Sequence, residues 1–155
     1  MKQVEIAKKY LGQKEKPGNV FDDTTPLGKI LKEAGHKDGE AWCALFTEAV
    51  FVETLRALFS ASTVQTFHNF KKAGYEISDV PKIGSLVIWQ NHKEGKPLWS
   101  GHAGLVTNVF PDGSFGTIEG NTNSDGSREG TSVQEKVRKN VKVKNGLNIL
   151  GFVII

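Results

Sequence analysis

Trp42-Cys43-Ala44-Leu45-Phe46-Thr47-Glu48-Ala49-Val50-Phe51-Val52, continued by Glu53-Thr54-Leu55-Arg56-Ala57-Leu58-Phe59, is the stretch that decides the fold. Its apolar residues (Trp42, Ala44, Leu45, Phe46, Ala49, Val50, Phe51, Val52, Leu55 and Leu58) fall almost all the way round a helical wheel. A surface helix keeps a polar face, so this pattern predicts a helix buried at the centre of the molecule. At its head stands Cys43, the single cysteine of the chain. A lone cysteine forms no internal disulfide and builds no cysteine-based metal site. It is either a small buried hydrophobe or a reactive thiol. The first turn of a helix supports the second use, because unpaired N–H groups and the helix dipole favour a thiolate there.

On the N-terminal side, Val4, Ala7, Tyr10 and Leu11 share a helical face up to Gly12, and Lys14 to Thr25 reads as a loop. Thr25 then caps and Pro26 opens a short helix with Leu27, Ile30, Leu31 and Ala34 on one side and Gly35 as its stop. After the buried helix, Ser62 or Thr63 caps a fourth, ended by Gly74. Past Pro81 the pattern changes to strands: Gly84 to Gln90, His102 to Phe110, Ser114 to Asn121, Val133 to Val143 and Leu150 to Ile155. Pro111-Asp112-Gly113 is a tight antiparallel turn between its two flanking strands. Lys93 to Ser100 and Thr122 to Thr131 read as exposed loops. Helices followed by strands predict an α+β fold, with an antiparallel sheet of about five strands on the buried helix.

The size of 155 residues suits one domain with a real core, so 1–155 is expected to be a single domain. Hydrophobic content of 38% and charged content of 24% are ordinary for a globular chain. No segment approaches the ~18 consecutive apolar residues that a membrane span needs, so no membrane insertion is expected. The charged start, Met1-Lys2-Gln3-Val4-Glu5, lacks the apolar segment of a secretory signal, so synthesis in the cytoplasm is expected. The net charge of +3 suits an anionic partner, yet the lysines and arginines are scattered and form no aromatic-interleaved block. Nucleic acid is therefore not the expected partner.

Two further motifs follow Cys43 in order. Ser100-Gly101-His102-Ala103-Gly104 puts a histidine among small residues at the mouth of an apolar strand, where a substrate or a second element could approach the ring. His36, His68 and His92 lack that setting. Glu119-Gly120-Asn121 lies where the hairpin brings residues opposite His102. Glu119 and Asn121 differ by two and share a strand face, so either could supply the acceptor that a general-base histidine needs on its second nitrogen.

Trp42-Cys43-Ala44 with Phe46, then Gly101-His102-Ala103-Gly104, then Glu119-Gly120-Asn121, resemble the motifs of the CHAP family, the cysteine- and histidine-dependent amidohydrolases/peptidases of peptidoglycan. Ile83-Gly84-Ser85-Leu86-Val87-Ile88-Trp89 is similar to the strand before the histidine in that family, and Ala7 to Asn19 to the opening of a phage-associated branch. The resemblance implies a papain-like α+β fold and cleavage of an amide in bacterial cell wall. It implies Cys43 as nucleophile, His102 as base, Glu119 as orienter, and Asn121 as a second polar group at the imidazole or the oxyanion. Trp42, Trp99 and Ser100 are expected to contact substrate, with Trp89 a further groove candidate. Some family members bind calcium just before the nucleophile. Here only Asp38 and Glu40 stand there, short of the roughly six to eight oxygens calcium takes, so no metal or other cofactor is expected.

Peptidoglycan or a muropeptide is thus the expected substrate, for a phage lysin, an autolysin or an injected effector acting at the wall or periplasm after release or injection. No appended wall-binding module is expected, so targeting is expected to fall to the groove, the basic surface or a delivery partner, with an inhibitor protein as a further candidate partner. Two other readings stand beside this one: a papain-like thiol protease or deamidase acting on a protein, and a non-catalytic wall-binding domain on the same scaffold.

Overall fold

A computed structural model describes residues 1–51, 53–122 and 130–155. Four α-helices come first: α1 (Lys2–Lys8), α2 (Pro26–Glu33), α3 (Cys43–Val50) and α4 (Thr63–Lys72). Six strands follow: β1 (Ile77–Ser78), β2 (Leu86–Lys93), β3 (Lys96–Val109), β4 (Phe115–Thr122), β5 (Ser132–Arg138) and β6 (Gly146–Val153). They form one antiparallel sheet in the order β1-β6-β2-β3-β4-β5. The α+β reading therefore holds, with helices first and sheet second.

The caps explain where the helices begin. Thr25 Oγ1 accepts from Gly28 N–H at 3.0 Å and Pro26 follows it, and Ser62 Oγ accepts from Gln65 N–H at 3.2 Å. The helix expected to run from Trp42 to Phe59 is instead shorter. α3 stops at Val50, Phe51 is extended (ψ 166°), and Glu53–Leu58 is a 3₁₀ helix. Two local causes act together. Thr47 Oγ1 bonds back to Ala44 O at 2.7 Å, which loosens the helical ladder. Val50 and Phe51 are weak helix formers, and the Phe51 ring gains a partner in Phe59 at 5.8 Å once the chain turns.

Two expectations in the sheet half also change. Lys93 to Ser100 is no loop: β2 and β3 continue as a hairpin arm pairing His92 with Pro97 and Lys93 with Lys96. Glu94 sits at the turn with φ 52°. A β-pattern over Val133 to Val143 shrinks to β5, and the short β1 adds a sixth strand beyond the five expected. The expected loop over Thr122 to Thr131 falls mainly outside the described residues.

The sheet has two buried faces. Leu86, Ile88, Ala103, Leu105, Ile118, Val133 and Val153 meet the helices, while Val87, Trp89, Val106, Phe115, Ile149 and Phe152 form a second cluster on the other side. Every residue of α3 except Glu48 is buried, so the buried-helix reading holds for the part that carries Cys43. Close seating of α3 on β4 depends on Gly120, where a Cβ would lie 2.7 Å from both Phe46 Cβ and the Trp42 ring. That contact brings the start of α3 to the end of β4.

Candidate active site

Cys43 is the first residue of α3, and no side chain caps the helix there. The first-turn N–H groups of such an end attract negative charge. Cys43 as a whole is 8% exposed. It borders a cleft of about 80 Å³ lined also by Ala41, by Ala61, Ser62 and Thr63 at the start of α4, by Trp99, Ser100 and Gly101 of β3, and by Asn121 of β4. A larger groove of about 700 Å³ among Ile6, Ile30, Phe51 and Ile155 includes none of the motif residues.

His102 lies on β3, directly across the ladder from Trp89 on β2. Its ring is wholly buried, and Nε2 pairs with Glu119 Oε2 at 2.8 Å. Nδ1 is buried with no hydrogen bond of ordinary geometry and is the nitrogen left for the Cys43 side. Burial alone would depress the imidazole's pKa, but interaction with the Cys43 sulfur and with Glu119 pushes it up to about 9.

Glu119, not Asn121, makes the bond to the ring. Burial would raise its pKa, yet hydrogen bonds from Arg138 and His102 hold the carboxyl well below its usual range. Thr117 Oγ1 also donates to Glu119 Oε1, at 2.6 Å. Asn121 leaves the strict alternation of the strand: its φ is 55°, and the β4–β5 register shifts between Glu119 and Thr122. Its side chain borders the cleft beside Cys43 instead.

The small residues around His102 are required by packing. Gly101 borders the cleft, and a Cβ there would collide with the Trp89 carbonyl oxygen and with Thr63 Oγ1. Gly104 is needed by the protein itself, because a Cβ there would stand 2.9 Å from Glu119 Cγ.

Among the expected substrate contacts, Trp99 is 83% exposed on the cleft rim, and Ser100 lines it. Trp42 does not line the groove. It is fully buried, with Nε1 donating to Glu15 Oε2 at 2.5 Å and its ring edge-on to Phe21 and Phe46. Trp42 is the N-cap residue of α3, with φ −118° and ψ 11°, and its indole is a core side chain tying the 13–20 segment to that helix. Trp89 is buried as well, stacked between His102 and Phe115.

Sequence reasoning missed three contributors. The start of α4 read only as a cap, yet Ser62 and Thr63 form a cleft wall. Arg138 and Thr117, which hold Glu119, carried no local signal at all. Among the described residues, no group of three or more His, Cys, Asp or Glu side chains is placed to hold a metal ion. No helix among them is long and apolar enough to cross a membrane.

No curated protein and no solved structure matches the chain. A family model does: CHAP domain, over residues 35–121. That span is more than half of the chain and contains Cys43 and Asn121, which border the cleft, and the buried pair His102 and Glu119. By this match, the chain belongs to the CHAP family.

Proposed function

We propose that this protein hydrolyses an amide bond of bacterial peptidoglycan, with Cys43 as nucleophile, His102 as general base and acid, Glu119 as the group that orients His102, and Asn121 as a polar contact at the reacting carbonyl. The observation that carries the reading is the Cys43–His102–Glu119 array at a cleft, with the thiol at a helix start and the histidine locked by a buried carboxylate.

The chemistry follows from these positions. The thiol proton passes to His102 Nδ1, and the sulfur attacks the carbonyl carbon. The C–N bond breaks as the tetrahedral oxyanion collapses, His102 protonates the departing amine, and water then hydrolyses the thioester. Backbone N–H groups at the start of α3, with the Asn121 amide, face the developing oxyanion. The cleft is small, at about 80 Å³. Recognition of the rest of the substrate falls to the rim, where the exposed face of Trp99 suits a sugar ring or a flat peptide. The chain acts as a single catalytic unit, made in the cytoplasm and reaching the wall or periplasm as a phage lysin or a delivered effector.

The test compares wild type with Cys43→Ala on purified sacculi, with mass spectrometry of the soluble products. Release of muropeptides by wild type only is expected. New peptide N-termini identify an endopeptidase, and free muramyl carboxyls an amidase. Release by both proteins sinks the thiol mechanism; release by neither sinks the wall substrate and favours a protein substrate or a binding domain.

A further inference from the structure

Beyond the residues that the proposed reaction uses, one more charged side chain is built into the site. Arg138, at the end of β5 and outside the 35–121 span, grips Glu119 with both arms of its guanidinium, Nε to Oε1 at 2.8 Å and Nη2 to Oε2 at 2.5 Å. Its guanidinium carbon also lies 5.3 Å from the centre of the Trp89 ring. Trp89 in turn lies 5.7 Å from the His102 ring. One arginine therefore touches both neighbours of the histidine, closing a loop Arg138–Glu119–His102–Trp89. Its side chain is 19% exposed and that of Glu119 is fully buried, so solvent screening is weak here.

The shared oxygen sets the electrostatics. Glu119 Oε2 receives His102 Nε2 at 2.8 Å and Arg138 Nη2 at 2.5 Å, so the two nitrogens are within about 5.3 Å of each other. A buried carboxylate with no other partner would hold the proton on the imidazole strongly, and His102 must release that proton to the leaving amine. A fixed cation on the same carboxylate opposes that hold while keeping the carboxylate ionised. The charged and titratable groups facing His102 among the described residues are Cys43 from α3, Glu119 from β4 and, through Glu119, Arg138 from β5; Trp89 from β2 is neutral.

We propose that Arg138 is a positioning residue that both aims the Glu119 carboxylate at His102 and limits the proton affinity of the imidazole. The proposal rests on Cys43 and His102 being the catalytic pair, but it can be read without any wall substrate.

The experiment follows the His102 ring signal by NMR across pH in the full chain, assigned by its loss in His102→Gln, for wild type, Arg138→Met and Arg138→Lys. Cys43 alkylation by iodoacetamide is measured alongside. Arg138→Met should raise the His102 midpoint by about one unit, because a cation within hydrogen-bonding range of the shared carboxylate is gone. Arg138→Lys should keep the midpoint near wild type yet slow alkylation several-fold, because lysine supplies a point charge in place of the planar fork. A folded Arg138→Met with an unmoved or lowered midpoint overturns the proposal and leaves Arg138 as scaffold. If Arg138→Met does not fold, Arg138→Lys decides: wild-type alkylation in that variant overturns the aiming role, and a moved midpoint overturns the charge role. A protein that passes these tests but releases no muropeptide refutes only the wall-substrate reading.

Discussion

The two halves of the candidate site are built in opposite ways. Cys43 stands on a helix start with no side-chain cap, at the edge of an open cleft. His102 is wholly buried on the central part of β3, bonded to a buried carboxylate that is itself held by Arg138 and Thr117. In the proposed mechanism, the nucleophile has to reach a substrate and form a covalent bond, which suits a thiol at the edge of the cleft. The proposed base has to keep one orientation through two proton transfers, which suits a ring held by a buried carboxylate that other strands fix in turn. Function and stability should therefore separate at Cys43 and coincide at Glu119.

The largest effect tests that separation. Cys43→Ala should lower hydrolysis by at least about 1,000-fold while leaving the melting temperature near wild type. Glu119→Ala should lower hydrolysis by about 100-fold and also cost about 3 kcal/mol of stability, because it strands the mostly buried Arg138 charge. Turnover assays with calorimetry check both. Comparable destabilisation by the two substitutions would break the comparison.

An intermediate effect is expected from pH. The folded pKa of His102 lies above its ordinary 6.5, so its contribution to stability is complete below that value and is lost as pH rises through about 9. The Glu119 pKa is depressed, so its contribution is present above the ordinary 4.5 and lost as pH falls below it towards the folded value. A stability plateau between about pH 5 and 6.5, a progressive decline from there to about 9, and hydrolysis falling on the alkaline side near 9 make up the expected profile. Cys43→Ala removes one of the two partners that raise His102, so the alkaline fall in stability should move to lower pH. Urea titrations across pH read this directly, and an unmoved alkaline limb in Cys43→Ala would mean that the sulfur and the ring do not interact.

The smallest effect concerns the rim. Trp99→Ala should raise KM a few-fold on polymeric wall, with kcat and melting temperature unchanged, because the residue is 83% exposed. A drop in stability would show that the open half of the site is also structural.

Much of this was legible in the chain because the signals were local. The apolar run after Trp42, the capping pairs Thr25-Pro26 and Ser62-Thr63, and the turn at Pro111 to Gly113 each act through neighbours in sequence. The motifs around Cys43, His102 and Glu119 were readable for the same reason. The break of α3 after Val50 was not, since it answers to the Thr47 back-bond and to the meeting of Phe51 with Phe59. Nor was the hairpin arm through Lys93 to Ser100, whose polar residues look like loop but pair with each other across the turn.

By itself, the sequence determined the order of helices before strands, the burial of the helix that carries Cys43, and the grouping of that thiol with the His102 imidazole and with either Glu119 or Asn121. Periodicity, capping and short motifs operate over a few residues, and those features need no more. Tertiary structure alone decided that Glu119 rather than Asn121 meets His102, that Trp42 is core, and that Arg138 completes the site. Each of those depends on strand register, on a left-handed residue at position 121 or on a side chain reaching across from β5. Contacts between distant segments are set by packing and pairing energies that no local pattern encodes.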